Sequence, residues 1–410
     1  MLRANGRLRV TILAMLMTAA LAAEASAQVP AAAPPGPVNC QTRPGPFVPP
    51  MAYQSTEQLP DGRVTFRICA PDAVSITVTS PDMAAIPPGY PPGTPSGLAM
   101  SKGEFGIWSA TTTVPALPGN YRFAYVVDGV RTPDPQGTVF SEHQYGISSI
   151  VEVKGPAGDF QTFQPAIAHG AVQTVFYWSR SLQAVRRAHI YTPPGYMNGS
   201  RKYPVLYLVH GASDSDDQWT SAGHAHNILD NLIAAGKAVP MIVVMPFGHT
   251  PPRPGADPSR GMLVNQDFGD DLIKDLIPYI EANYRTLNRP ETRAMAGLSM
   301  GGAHTLNFGL PHPDLFRYIG IFSMGLGFNN ANPVSDYTAA HDAALKQAAK
   351  QMKLVYYAMG REDFLYATVA PTRRMLDQYG IRHVYHESGG GHTWMNWRDY
   401  LADFAPQLFR

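Results

Sequence analysis

Cysteine is nearly absent: Cys40 and Cys69 are all that the 410 residues contain, which excludes both a disulfide-rich scaffold and a cysteine-caged metal. Charge is sparse as well, 15% of residues against roughly 25% in an average soluble protein. A net charge of +1 at pH 7 leaves no basic excess to track a phosphate backbone, so nucleic acid is not an expected partner. No apolar run reaches the ~20 residues that a membrane-crossing helix requires. Cofactor signatures are missing too. There is no H-E-x-x-H, no C-x-x-C, no G-x-x-x-x-G-K-[ST] and no G-x-G-x-x-G after a strand, so the expected chemistry uses side chains and water, with no cofactor and no metal. What the chain has in plenty is Pro (38) and Gly (37), the mark of a turn-rich protein, in a length that suits two domains.

The first segment sets the compartment. Arg3, Arg7 and Arg9 precede an apolar run over residues 10–23 and the small-residue triplet Ala25-Ser26-Ala27, a signal-peptide pattern over residues 1–27 that predicts a secreted or periplasmic protein with no span left after cleavage. Residues 28–50 are a Pro-rich linker. In an exported chain Cys40 and Cys69 either bridge or stay free, and spacing alone does not decide between them. Over residues 51–160 short β-type runs at 63–68, 74–78, 106–109 and 121–127 alternate with turn signals such as Pro60-Asp61-Gly62 and Asp128-Gly129, predicting a small β-sandwich. Residues 165–410 switch to strands alternating with helices, the pattern of an α/β domain. Residues 205–209 and 241–245 are continuous apolar runs, as expected of strands buried on both faces, and residues 268–284 carry an amphipathic helical stripe.

One motif carries chemistry. Gly297-Leu298-Ser299-Met300-Gly301 fits G-x-S-x-G between a short strand and an apolar helical run, where a tight turn lifts a serine hydroxyl above the sheet. A serine needs a base, and the base needs an acid to hold its tautomer. Both follow in the order Ser, acid, His: Glu362 and Asp363 after an apolar strand, then His392 in Ser388-Gly389-Gly390-Gly391-His392. His383 and His386 lie on the preceding strand and read as packing or surface residues. Donors for an oxyanion are expected from the Met300 N–H and from the loop His210-Gly211-Ala212, with Ala212 preferred over Gly211. Asp214, Asp216 and Asp217 read as capping or solvated carboxylates rather than metal ligands. Trp219, Phe268 and Trp394 lie near these loops and are candidates to stack on an aromatic acyl group or a sugar, or to be core.

These pieces, with Tyr191-Thr192-Pro193-Pro194-Gly195-Tyr196, Asp275-Leu276-Ile277-Pro278-Tyr279 and Gly391-His392-Thr393-Trp394, resemble carbohydrate esterase family 1, the esterase D type of α/β-hydrolase, from about residue 170 to 410. The resemblance implies an α/β-hydrolase catalytic domain with Ser299, Asp363 and His392 as its triad. It also implies a secreted serine esterase acting on a small-molecule or polysaccharide-linked ester: a feruloyl esterase first, with acetyl xylan esterase or siderophore (enterochelin-type) esterase as alternatives. Acyl transfer to another alcohol, and a glycan-binding protein whose hydrolase domain is inactive, stay open. Residues 121–130 with Asp134-Pro135 resemble the immunoglobulin-like modules related to carbohydrate-binding module family 48 (CBM48, E-set). Such a domain either binds glycan or buttresses the esterase, and buttressing is favoured. Trp108 and Tyr125 are the residues that would form a sugar platform.

Overall fold

The computed structural model describes residues 38–43, 45–88, 96–251, 264–328 and 333–410; the expected leader and the first part of the linker lie outside them. Residues Asn39–Arg410 form one compact unit. Among the described residues no helix is long and apolar enough to cross a membrane.

The front of the chain is all β: β1 (Thr56–Gln58), β2 (Val64–Cys69), β3 (Ile76–Thr79), β4 (Leu98–Ala99), β5 (Ser101–Lys102), β6 (Ile107–Thr111), β7 (Gly119–Val127), β8 (Val130–Thr132), β9 (Phe140–His143) and β10 (Gly146–Val153). They pair antiparallel in two sheets, β1-β2-β6-β5 and β4-β3-β7-β10-β9 with β8 beside β7. Alternate residues of the two sheets meet in a shared core of Val64, Phe66, Ile68, Ile76, Val78, Phe123 and Tyr125, with the Phe66 and Phe123 rings 5.1 Å apart. Trp108 and Tyr125 are buried in this core, Trp108 donating to the Ala70 carbonyl and the Tyr125 hydroxyl to that of Arg67, so neither forms an exposed sugar platform. Cys40 and Cys69 are joined by a disulfide, and Cys40 is buried with its N–H on the Phe105 carbonyl, so the expected linker is pinned to the sandwich from there on.

Beyond it lies an eight-stranded sheet of β11 (Ala171–Ser179), β12 (Ala184–Thr192), β13 (Val205–Val209), β14 (Ile242–Pro246), β15 (Arg293–Leu298), β16 (Tyr318–Phe322), β17 (Leu354–Gly360) and β18 (Val384–Ser388), in the order β11-β12-β14-β13-β15-β16-β17-β18. The β11–β12 and β12–β14 pairs are antiparallel and the other neighbours parallel. Side chains of successive strand residues point to opposite faces, and here both faces are covered. Val205, Tyr207 and Val209 join a core with the helices α3 (Gln266–Asp270), α4 (Ile277–Asn283), α6 (Val334–Gln351) and α7 (Val369–Gln378), while Leu206 and Leu208 join another with α2 (Ala225–Ala234) and α8 (Trp394–Phe404). The short helices α1 (Gln218–Ser221) and α5 (Met300–His304) follow β13 and β15. The amphipathic helix expected at 268–284 is present but interrupted: residues 271–276 form a wider turn bonded i→i+5 between α3 and α4. Pro278 lacks the N–H that a regular helix would donate to the Lys274 carbonyl, which accounts for the local widening.

Candidate active site

Ser299 occupies the turn between β15 and α5 at φ 51° and ψ −116°, a conformation that a non-glycine residue adopts only at a cost on the order of 1–3 kcal/mol. The surroundings enforce it. Ser299 N–H donates to the Phe322 carbonyl at 2.9 Å, and its own carbonyl accepts from Ala303 at 3.0 Å. The turn also demands close backbone approach: a Cβ on Gly301 would lie 2.3 Å from the Val209 carbonyl oxygen, and one on Gly297 would lie 2.5 Å from the Gly301 carbonyl carbon. These contacts explain why small residues flank the serine.

Asp363 and His392 stand beyond the C-terminal ends of β17 and β18, at the same edge of the sheet as Ser299 beyond β15. His392 Nδ1 lies 2.9 and 3.1 Å from the two Asp363 carboxylate oxygens, and Asp363 also accepts the Leu365 N–H at 2.9 Å. A carboxylate can only accept, so Nδ1 carries a proton, and in the neutral ring the lone pair is then on Nε2. The Asp363 side chain is fully buried, whereas its rival Glu362 is exposed. Two loops are stitched to make this pair: Arg361 N–H donates to Ser388 O, Glu362 N–H to Gly390 O, and the Asn396 amide to Gly389 O. Gly390 sits at φ 75°, the left-handed region that the bend requires.

The loop after β13 supplies the other wall. Gly211 packs closely here: a Cβ on it would touch Ser299 Cβ at 3.5 Å and would have to displace Leu298 Cδ1, 2.6 Å away. Neither the Ala212 N–H nor the Met300 N–H has an acceptor among the described residues, so both stay free to donate. Of the three carboxylates that follow, expected as capping or solvated groups, Asp217 does stand at the N-cap position of α1 and is half-buried, whereas Asp214 and Asp216 are buried ion-pair partners. Asp214 pairs with Arg122 of β7 at 2.9 Å, Asp216 with Arg187 and His189 of β12, and Asp217 accepts the Glu142 N–H. Asp214 and Asp216 are buried, and burial pushes the Asp214 carboxyl up to about 6 despite Arg122. The β9–β10 hairpin of the sandwich thereby zips onto this loop: Gln144 N–H donates to Ser213 O at 2.8 Å, and the Ser215 hydroxyl and Gln218 amide both donate to Glu142 O. Partners distant along the chain, from the sandwich for Asp214 and Asp217 and from β12 for Asp216, are what the sequence pattern did not reveal.

The expected stacking residues are corrected by burial. Trp219, Phe268 and Trp394 are 1%, 0% and 0% exposed, so all three are core and none faces a ligand. Trp219 donates its indole N–H to Val209 O and packs edge-on against Trp394, while Phe268 stacks on His304. Large rings near a loop in sequence are filling the space under it. An aromatic residue that does stand exposed beside the site was not singled out from sequence. Phe364, 66% exposed, lies 4.6 Å from the His392 ring and 6.2 Å from Phe328, and the far side of His392 meets Trp397 edge-on at 5.0 Å. Its adjacency to Asp363 was the available signal.

The model of the Esterase family, described as "Putative esterase", matches residues 179–408. An endo-1,4-beta-xylanase/feruloyl esterase of Xylanibacter ruminicola is 36% identical over 291 residues, covering 68% of this chain and 38% of that protein. The chain spans 38% and 53% of the lengths of the first curated relatives it matches. Among solved structures, a ferulic acid esterase aligns with 26% identity and a TM-score of 0.51, covering 58% of this chain and 97% of its own. The enterochelin esterase of Shigella flexneri aligns with 16% identity and a TM-score of 0.60 over 87% of this chain and 95% of its own, a likeness of fold that takes in most of the length.

Proposed function

Because the chain belongs to the Esterase family, we propose that it is a serine carboxylic-ester hydrolase working through an acyl-enzyme. The observation that carries this reading is the buried Asp363 holding the His392 tautomer beyond the same sheet edge as a strained Ser299. Ser299 Oγ attacks the ester carbonyl as His392 Nε2 takes its proton, and Asp363 stabilises the imidazolium that forms. The Met300 and Ala212 N–H groups receive the negative charge that develops on the carbonyl oxygen. His392 then returns the proton to the leaving alcohol, and water repeats the sequence to free the acid.

The substrate class we favour is an ester of an aromatic acid, feruloyl-like, carried on plant cell-wall polysaccharide. Phe364 beside His392 offers an exposed ring to stack on such an acyl group, and the relative from Xylanibacter ruminicola bears the matching name. A siderophore-type ester is the second reading, favoured by the two-part likeness to the enterochelin esterase. The sandwich we read as an immunoglobulin-like, CBM48-type domain that buttresses the site. Export is supported by the leader pattern and by the Cys40–Cys69 disulfide, which persists in oxidising compartments.

Ser299→Ala is expected to lower kcat on p-nitrophenyl acetate by about 10⁴-fold or more while the melting temperature holds. Undiminished turnover overturns the assignment. Methyl ferulate, acetylated xylan and a catecholate siderophore, offered side by side to the wild-type protein, separate the substrate readings, and hydrolysis of methyl ferulate ahead of the other two is the expected ranking.

A further inference from the structure

His210 is fully enclosed at the end of β13, and its ring makes two bonds that fix its chemistry. Nε2 lies 2.8 Å from the Gly248 N–H, and Nδ1 lies 2.8 Å from the Gly211 carbonyl oxygen. An amide can only donate and a carbonyl can only accept, so Nε2 is the acceptor and Nδ1–H the donor. The imidazole is neutral: burial, reinforced by the neighbouring His249, pushes it down to about 3. The ring is flanked by the rings of Phe247 at 5.7 Å and His249 at 5.4 Å.

The consequence lies one atom further along the chain. In a planar trans peptide the C=O of one residue and the N–H of the next point in opposite directions. A donor that holds the Gly211 oxygen therefore aims the Ala212 N–H the other way. That N–H has no acceptor among the described residues, and a Cβ built on the adjoining Gly211 would lie 3.5 Å from Ser299 Cβ, which puts this loop beside the nucleophile. The Asp214 N–H also donates to the Gly211 oxygen, but at the longer 3.3 Å.

We propose that His210 is a positioning residue whose Nδ1–H sets the plane of the Gly211–Ala212 peptide and so presents the Ala212 N–H to the oxyanion. The inference rests on the esterase reading and adds to it a residue that touches neither substrate nor nucleophile. Two substitutions divide the ring's functions. In His210→Asn the side-chain amide falls where Nδ1 was and keeps a donor for Gly211, losing the bond to Gly248. In His210→Gln the amide oxygen reaches the Nε2 position and keeps the bond to Gly248, losing the donor.

The test is steady-state kinetics on p-nitrophenyl acetate with melting temperatures for both variants. His210→Gln is expected to lose about 10²-fold in kcat, the usual scale for a misplaced oxyanion donor, with KM changed by no more than about threefold. His210→Asn is expected to stay within about fivefold of wild type in kcat even where its melting temperature is the lower of the two. If kcat instead follows melting temperature across the pair, or if the Gln variant keeps full turnover, the positioning role is overturned. Ser299→Ala judges the esterase reading separately: its loss of turnover beside an unaffected Gln variant sinks the role of His210 alone.

Discussion

Asp363 does two jobs with one buried carboxylate, accepting the His392 Nδ1–H and the Leu365 N–H. Asp363→Asn retains the shape but presents an amide that favours the other imidazole tautomer. The expected outcome is a fall in kcat of about 10³- to 10⁴-fold with a far-ultraviolet circular dichroism spectrum like wild type, and a variant within tenfold of wild type would remove Asp363 from the relay. At this scale the sequence was most legible where chemistry constrains order. Ser299, an acid and His392 stand in an order that their loops alone suggest, whereas spacing does not separate Asp363 from Glu362: the family resemblance preferred Asp363, and burial of its side chain beside an exposed Glu362 agrees. Trp219, Phe268 and Trp394 show the converse: proximity along the chain to a loop says nothing about which way a ring faces, and all three turned inward.

Strands buried on both faces announce themselves. β13 at Val205–Val209 and β14 at Ile242–Pro246 fall on the apolar runs at 205–209 and 241–245 that mark them, because nearly every position must be hydrophobic when helices cover both sides. The helix at 266–283 was legible in its stripe but not in its widened middle, since Pro278 can be absorbed in more than one way. The entry segment was the least legible element, its proline-rich composition concealing a fixed anchor at Cys40. That anchor closes a loop across a separation of 29 residues, which in the chain-entropy treatment stabilises the folded sandwich by about 3.5 kcal/mol. The double variant Cys40→Ser/Cys69→Ser is expected to unfold at lower urea concentration by a corresponding margin. An unchanged midpoint would mean that the entry segment is held by its other contacts, such as the Cys40 N–H on Phe105 O.

For the molecule as a whole, one buried imidazole, His210, and two half-buried ones, His224 and His226, set an acid limit. Burial depresses His210 to about 3 and His224 and His226 to about 4, against 6.5 for an unhindered ring. A depressed folded-state value means that the unfolded chain binds protons first. This stabilisation is therefore complete above pH 6.5 and drains away as pH falls from there towards 4. One unit below 6.5 each ring forfeits about 1.4 kcal/mol, of which Asp214, raised to about 6 and favouring its neutral form on acidification, returns a part. Melting temperature should accordingly be level from pH 8 to 7 and drop between pH 6.5 and 5. A flat profile over that lower interval would contradict the assignment of neutral rings to these three histidines.

The zip between the β9–β10 hairpin and the loop after β13 has a bearing on evolution and engineering. The segment carrying Ala212 takes its backing from Glu142 and Gln144, which fold with the other half of the chain, and Arg398 of α8 reaches across to the Asn120 carbonyl of β7. Front and rear modules are thus not freely interchangeable cassettes. A chimera that borrows its sandwich from a distant cousin inherits a slack floor beneath the nucleophile unless the graft brings a matching hairpin edge, so recombination within such a lineage must cut outside this seam or rebuild it.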